Sequence, residues 1–168
     1  PDWGSWAVVK NDYMCNSAST FCQSSCSCGN ADTGQNFCGA PDVDHTNSQV
    51  QKDVGSWLGW LKSEYGFSGW RFDMVVGYAG SYVGQYVAGS SPSFSVGEYW
   101  DDDTSHVTQW ITSTGYRSTA FDFPNRDTLK GCVDSNDYTS MLEGISPPGV
   151  MGQMPLYSST FTDNHDTA

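Results

Sequence analysis

Apolar residues recur at three- and four-residue steps from Val50 through Val54, Trp57 and Leu58 to Leu61, the repeat of one helical face. Thr46 or Asn47 stands where a helix start takes a capping oxygen, and the pattern stops near Gly66. A strand-favouring run follows at once, Gly69-Trp70-Arg71-Phe72-Asp73-Met74-Val75-Val76-Gly77-Tyr78. A weaker helix over about Ser81 to Ala88 leads into a second strand, Ser93 to Glu98. Val107, Trp110 and Ile111 mark another helix, and Thr119 to Phe123 a third strand. Leu129 and Val133 support one more helix, and Ser159 to Asp163 makes a fourth strand that runs into Asn164-His165-Asp166.

Strand alternating with helix, with acids at Asp73, Glu98, Asp122 and Asp163 near strand ends, predicts parallel βα units. Glu98 lies 25 residues after Asp73 and Asp122 lies 24 after Glu98, a period that suits a βα barrel of eight units. Four strands make half of one, and half a barrel cannot close. An open doubly wound sheet is the alternative, although no glycine-rich phosphate turn follows a strand.

Residues 1–45 carry no sustained period and are rich in Gly, Ser, Asn, Asp and Cys. Asp12, Asp32, Asn36 and Asp42 are hard oxygen donors of the kind calcium takes, although from these residues alone solvated turns are the better reading. Cys15, Cys22, Cys26, Cys28 and Cys38 crowd this segment, and Cys132 stands apart, which suggests disulfides and an oxidising compartment. Zinc is the rival reading, but the spacings are not those of a zinc knuckle and no His lies among these cysteines.

The chain has 168 residues, enough to bury a core. Seven Lys and Arg stand against nineteen Asp and Glu, a formal net charge of −12 that repels nucleic acid and anionic membranes. No apolar run is long enough to span a bilayer. The first residues, Pro1-Asp2-Trp3-Gly4-Ser5-Trp6, lack Met and the layout of a signal peptide, and Asp166-Thr167-Ala168 ends on no closing element. The sequence therefore reads as the middle of a longer protein.

Side chains alternate along a strand, so Arg71 and Asp73 share one face and Trp70 and Phe72 the other. A guanidinium beside a carboxylate favours its ionised form, which a carboxylate nucleophile needs; a structural ion pair is the plain alternative. Asp73, Glu98 and Asp166 all fall at carboxyl ends of predicted strands, where βα barrels build their active sites. Paired carboxylates there are the equipment of glycoside hydrolysis.

At these residues the chain resembles the α-amylase family of glycoside hydrolases, over nearly its full length. Gly66-Phe67-Ser68-Gly69-Trp70-Arg71-Phe72-Asp73, with Gly77-Tyr78-Ala79 after it, is similar to the signature of that barrel's fourth strand. Val96-Gly97-Glu98-Tyr99-Trp100 is similar to that of the fifth, and Phe161-Thr162-Asp163-Asn164-His165-Asp166-Thr167 to that of the seventh. Pro41-Asp42-Val43-Asp44-His45 resembles the plant-type branch and its bacterial relatives.

The resemblance implies an α/β fold, a partial (β/α)8 barrel of about strands four to seven over residues 46–168, preceded by an irregular, cysteine-rich domain B over residues 1–45. It implies Asp73 as nucleophile, Glu98 as general acid and base, and Asp166 as the third carboxylate. Arg71 keeps the nucleophile ionised, and His165 binds sugar hydroxyls. Trp100 is a candidate stacking platform or a core residue. Calcium is the implied cofactor, with Asp12, Asp32, Asn36, Asp42 and the Gly77 carbonyl as ligands. Asn36 stands where an Asp is usual, and Val76 where Lys or Arg is usual. The implied protein is a secreted, monomeric, endo-acting α-1,4-glucan hydrolase that binds neither nucleic acid nor membrane. Exo-acting maltooligosaccharide-forming enzymes and transglycosylases share its acids. A non-catalytic glucan-binding relative and a calcium-binding structural module are the readings from other classes.

Overall fold

A computed structural model of the chain describes residues 2–12, 28–142 and 146–167, so Cys15, Cys22 and Cys26 lie outside the described residues. Four strands, β1 (Gly69–Phe72), β2 (Phe94–Gly97), β3 (Thr119–Phe121) and β4 (Ser158–Ser159), form one sheet in the order β1-β2-β3-β4. Every neighbouring pair is parallel. Helix α1 (Ser48–Tyr65) precedes β1, α2 (Gly80–Ser90) joins β1 to β2, and α3 (Thr104–Ser113) joins β2 to β3. The β3-to-β4 crossover holds α4 (Phe123–Ser135) and the single turn α5 (Val150–Gln153). A strand order that never reverses is the winding of a βα barrel; a doubly wound sheet turns back on itself.

Helix α1 starts where the Asn47 side chain accepts from Gln49 N at 2.9 Å and ends on Gly66 at φ 74°, a conformation that glycine adopts freely. Its buried face presents Val50 and Leu58, and Leu58 packs with Trp70 of β1 and Tyr86 of α2. Trp57, assigned by spacing to the same face, is 57% exposed. A second cluster, including Val83, Val107, Trp110, Ile111, Ala120 and Val150, fills the space between helices and sheet.

The strands are shorter than the apolar runs suggest, and two of them end for a local reason. β1 stops at Phe72 because Met74 takes a left-handed conformation (φ 44°) and Val75–Gly77 winds into a 3-10 turn. β3 stops at Phe121 because Asp122 caps α4, accepting from Asn125 N at 3.1 Å, with Pro124 in the first turn. β4 comprises only Ser158–Ser159, so Asp163 lies in a turn beyond the sheet. Val133 is exposed, and Cys132 is the buried residue at that point of α4.

Asp122, which by sequence looks like one more strand-end acid, is fully buried and holds three elements together. Besides capping α4, its carboxylate accepts from Val150 N at 3.0 Å, Met151 N at 2.8 Å and Ser158 Oγ at 2.8 Å. Asp122→Ala strands these buried donors and should lower unfolding free energy by about 2–3 kcal/mol in urea titration. A change within about 0.5 kcal/mol would show that water replaces the carboxylate.

Candidate active site

Phe72 pairs with Gly97 in the register of β1 and β2, so the next residues, Asp73 and Glu98, stand side by side at the carboxyl edge of the sheet. Arg71 links them. Its Nη1 donates to Asp73 Oδ1 at 2.5 Å and its Nη2 to Glu98 Oε1 at 2.7 Å. The two acids differ in surroundings: the Asp73 side chain is 70% exposed and that of Glu98 only 4%. A buried carboxylate needs its lone pairs filled, and Glu98 Oε2 accepts from Met74 N at 3.0 Å. The turn that ends β1 therefore aims an amide at Glu98. Beneath the guanidinium, Arg71 Cζ lies 5.9 Å from the ring centre of Phe121 on β3.

His165 and Asp166 sit on the turn after β4, with His165 Nε2 3.0 Å from Asp166 Oδ2. Asp73 and Glu98 share the Arg71 network among the described residues, and Asp166 is not part of it. Trp100, 44% exposed, stacks on buried Phe123 with ring centres 4.8 Å apart and planes at 19°. It is thus anchored on one ring and open to solvent elsewhere.

Asp12, Asp32 and Asp42 converge, with carboxylate oxygens within 4.8 Å of one another. Asp42 Oδ2 is buried without a hydrogen-bond partner. Burial, with the charges of Asp12 and Asp32, pushes the Asp42 carboxyl up to about 7, and burial likewise raises that of Asp12. The Asn36 amide lies 2.5 Å from Asp12 Oδ1 and 3.0 Å from Asp32 Oδ2. With nitrogen toward them it donates two hydrogen bonds; with oxygen toward them it adds a fourth ligand. Gly77 lies against Asp42, since a Cβ there would sit 2.8 Å from both carboxylate oxygens. An orphaned buried oxygen among mutually repelling acids fits a hard divalent cation.

The acid cluster adjoins the turn that follows β1 through main chain. Gln35 N donates to Val76 O at 2.9 Å, and a Cβ on Gly34 would lie 2.3 Å from the Gly77 carbonyl carbon. Two neighbours escaped the sequence reading as individuals. Asp44 is fully buried and accepts from Asn30 N at 2.8 Å and Thr46 Oγ1 at 2.6 Å. His45 stacks on Tyr78 at 4.1 Å and bonds the Tyr86 hydroxyl at 2.8 Å, and burial lowers its pKa to about 4. Both lie in the Pro41-to-His45 motif, and only their burial distinguishes them. A cavity of about 600 Å³ beside them meets the site at Arg71, but Asp73 and Glu98 do not line it.

The fold and site define a parallel β/α protein with paired acids on its carboxyl edge, the layout of βα-barrel enzymes. No protein-family model matches the chain. The chain is 42% identical to probable alpha-amylase 2 of Arabidopsis thaliana over 153 residues, 83% of this chain and 37% of that protein. It is 37% identical to alpha-amylase 3, chloroplastic, of the same organism over 154 residues, 83% of this chain and 17% of that one. A solved alpha-amylase of Anoxybacillus superposes with a TM-score of 0.59 at 20% identity over 76% of this chain and 29% of that one. The chain belongs to the α-amylase family. It spans little more than a third of the first of these relatives.

Proposed function

We propose that the protein is a retaining, endo-acting α-1,4-glucan hydrolase in which Asp73 and Glu98 perform the chemistry. The observation that carries this reading is the single guanidinium of Arg71 bonded to both acids at the ends of adjacent strands. One planar fork spans both carboxylates, which suits the separation of about 5–5.5 Å in retaining enzymes better than the about 6.5–9.5 Å of inverting ones. Asp73 attacks the anomeric carbon and forms a β-glycosyl ester while Glu98 gives its proton to the departing glycosidic oxygen. Glu98 then takes a proton from water, whose oxygen displaces Asp73. Asp166 and His165 bind sugar hydroxyls at the reacting ring, and Trp100 stacks on a neighbouring sugar.

In this reading residues 1–45 form a domain B and residues 46–168 the central part of the catalytic barrel. Calcium held by Asp12, Asp32, Asn36, Asp42 and the Gly77 carbonyl supplies positive charge to the acid cluster. Those residues hold the early loop against the turn that carries Met74. Cys28 and Cys38 are both disulfide-bonded and Cys132 is a buried free thiol, which supports disulfide stiffening of the loop and a secreted protein. One relative is named as chloroplastic, and that description belongs to that protein. No helix among the described residues is long and apolar enough to cross a membrane. The partner is a neutral α-glucan, and the working unit a monomer.

The test is the anomeric form of the first product released from a maltooligosaccharide by the full-length protein, followed by proton NMR. The α-anomer is expected. The β-anomer would overturn double displacement, and no hydrolysis by the folded, calcium-supplied protein would favour a glucan-binding relative.

A further inference from the structure

Asp166 shares no ion pair with the Arg71, Asp73 and Glu98 network among the described residues, and the short β4 leaves its turn beyond the sheet. The turn is closed by its own side chains. Asp163 Oδ1 accepts from Asn164 N at 3.0 Å and from the Thr167 hydroxyl. Asn164 Oδ1 accepts from Asp166 N at 2.9 Å and Thr167 N at 3.0 Å. Such a turn keeps its internal shape, but these bonds do not fix where it sits.

Its polar ties to other described residues run through one side chain, Arg126 in the first turn of α4. Arg126 Nη2 donates to Thr167 O at 2.9 Å and lies 3.7 Å from Asp163 Oδ1. Nη1 donates to Asp127 Oδ1 at 2.9 Å. The side chain is 11% exposed, and its Nε is buried with no partner. Holding a guanidinium in that state costs free energy, so the contacts it makes at the two ends of the turn must offset the loss. Apolar support comes from Phe161, whose ring meets those of Phe121 and Phe123 edge-on at 5.5 and 5.1 Å. Phe161 locates the approach to the turn, and Arg126 locates the turn itself.

We infer that Arg126 is a positioning residue for Asp166: by gripping both ends of the Asp163-to-Thr167 turn it fixes where the third carboxylate meets the sugar. The inference rests on the glycosidase reading above. Arg126 acts through the backbone of Thr167 and the carboxylate of Asp163.

The test compares the full-length protein with Arg126→Met, which keeps the apolar stem, and Arg126→Lys, which keeps the charge but not the fork. Steady-state hydrolysis of a maltooligosaccharide is measured beside hydrogen–deuterium exchange at amides 164–167, below the melting temperature of each variant. Arg126→Met should lower kcat roughly 10–100-fold with a smaller change in KM, because misplacing a transition-state contact by about 1 Å acts mainly on kcat. Amides 164–167 should exchange faster, and Arg126→Lys should recover part of both losses. Unchanged exchange would overturn the clamp. Faster exchange with unchanged kcat would make Arg126 structural only. Absence of hydrolysis in the wild-type protein would overturn the glycosidase reading and the role of Arg126 with it, whereas failure of the clamp alone leaves wild-type hydrolysis intact.

Discussion

Asp73→Asn is expected to cut maltooligosaccharide hydrolysis by the full-length protein on the order of 10⁴-fold or more while leaving its melting curve close to that of the wild type. An amide oxygen is too weak a nucleophile to form the glycosyl ester. The fold should tolerate the change because the Asp73 side chain is 70% exposed, and an ion pair in that setting contributes at most about 1 kcal/mol. Arg71 would keep its bond to Glu98, so the acid stays in place. Initial rates and a thermal melt decide the matter together. Substantial turnover in a folded variant would remove Asp73 from the nucleophile's role, and loss of folding would make its bond to Arg71 structural.

Withdrawal of calcium should produce the second large effect, and its size should depend on pH. Without a cation, burial and the neighbouring acids keep the Asp42 carboxyl titrating near 7, while the unfolded chain titrates near 3.8. Between those values the native state binds more protons than the unfolded one. Stability is therefore fully present below about pH 4 and is lost as pH rises toward 7, at up to about 1.4 kcal/mol per pH unit. Calcium replaces the protons, so its stabilising effect should be large near pH 7 and weak near pH 5, where protons compete for the same oxygens. Melting curves from pH 5 to 7.5, with calcium and with a chelator, should diverge as pH increases. Curves that stay superimposed at pH 7.5 would leave the disulfides and packing as the supports of the early loop.

The alternation of strand and helix was legible because Val50 to Leu61 and Gly69 to Val76 carry different periods. Element ends were less legible. Asp122 and Met74 stop strands by capping and by a left-handed turn, and neither interrupts the apolar pattern on which the reading depends. The difference between Asp73 and Asp122 was also hidden: both follow an apolar run, but Asp122 is claimed by amides 28 and 29 residues away. The pairing of Asp73 with Glu98 could be read from matching positions at two strand ends. The convergence of Asp12, Asp32 and Asp42 could not, since acids in an aperiodic segment look alike whether solvated or gathered. For these the likeness to a known family supplied what spacing alone did not.

The contact between Gly34 and the backbone of Val76, Gly77 and Tyr78 bears on how this architecture can diverge. A methyl group on Gly34 would lie within 2.5 Å of all three residues, so at this point the early loop and the turn under Glu98 meet main chain against main chain. Beside it, Asp42 packs against Gly77 and Thr33 Oγ1 accepts from Ala79 N at 3.1 Å. Any residue larger than glycine at position 34 would have to part the two backbones, and with them the turn whose Met74 amide bonds Glu98.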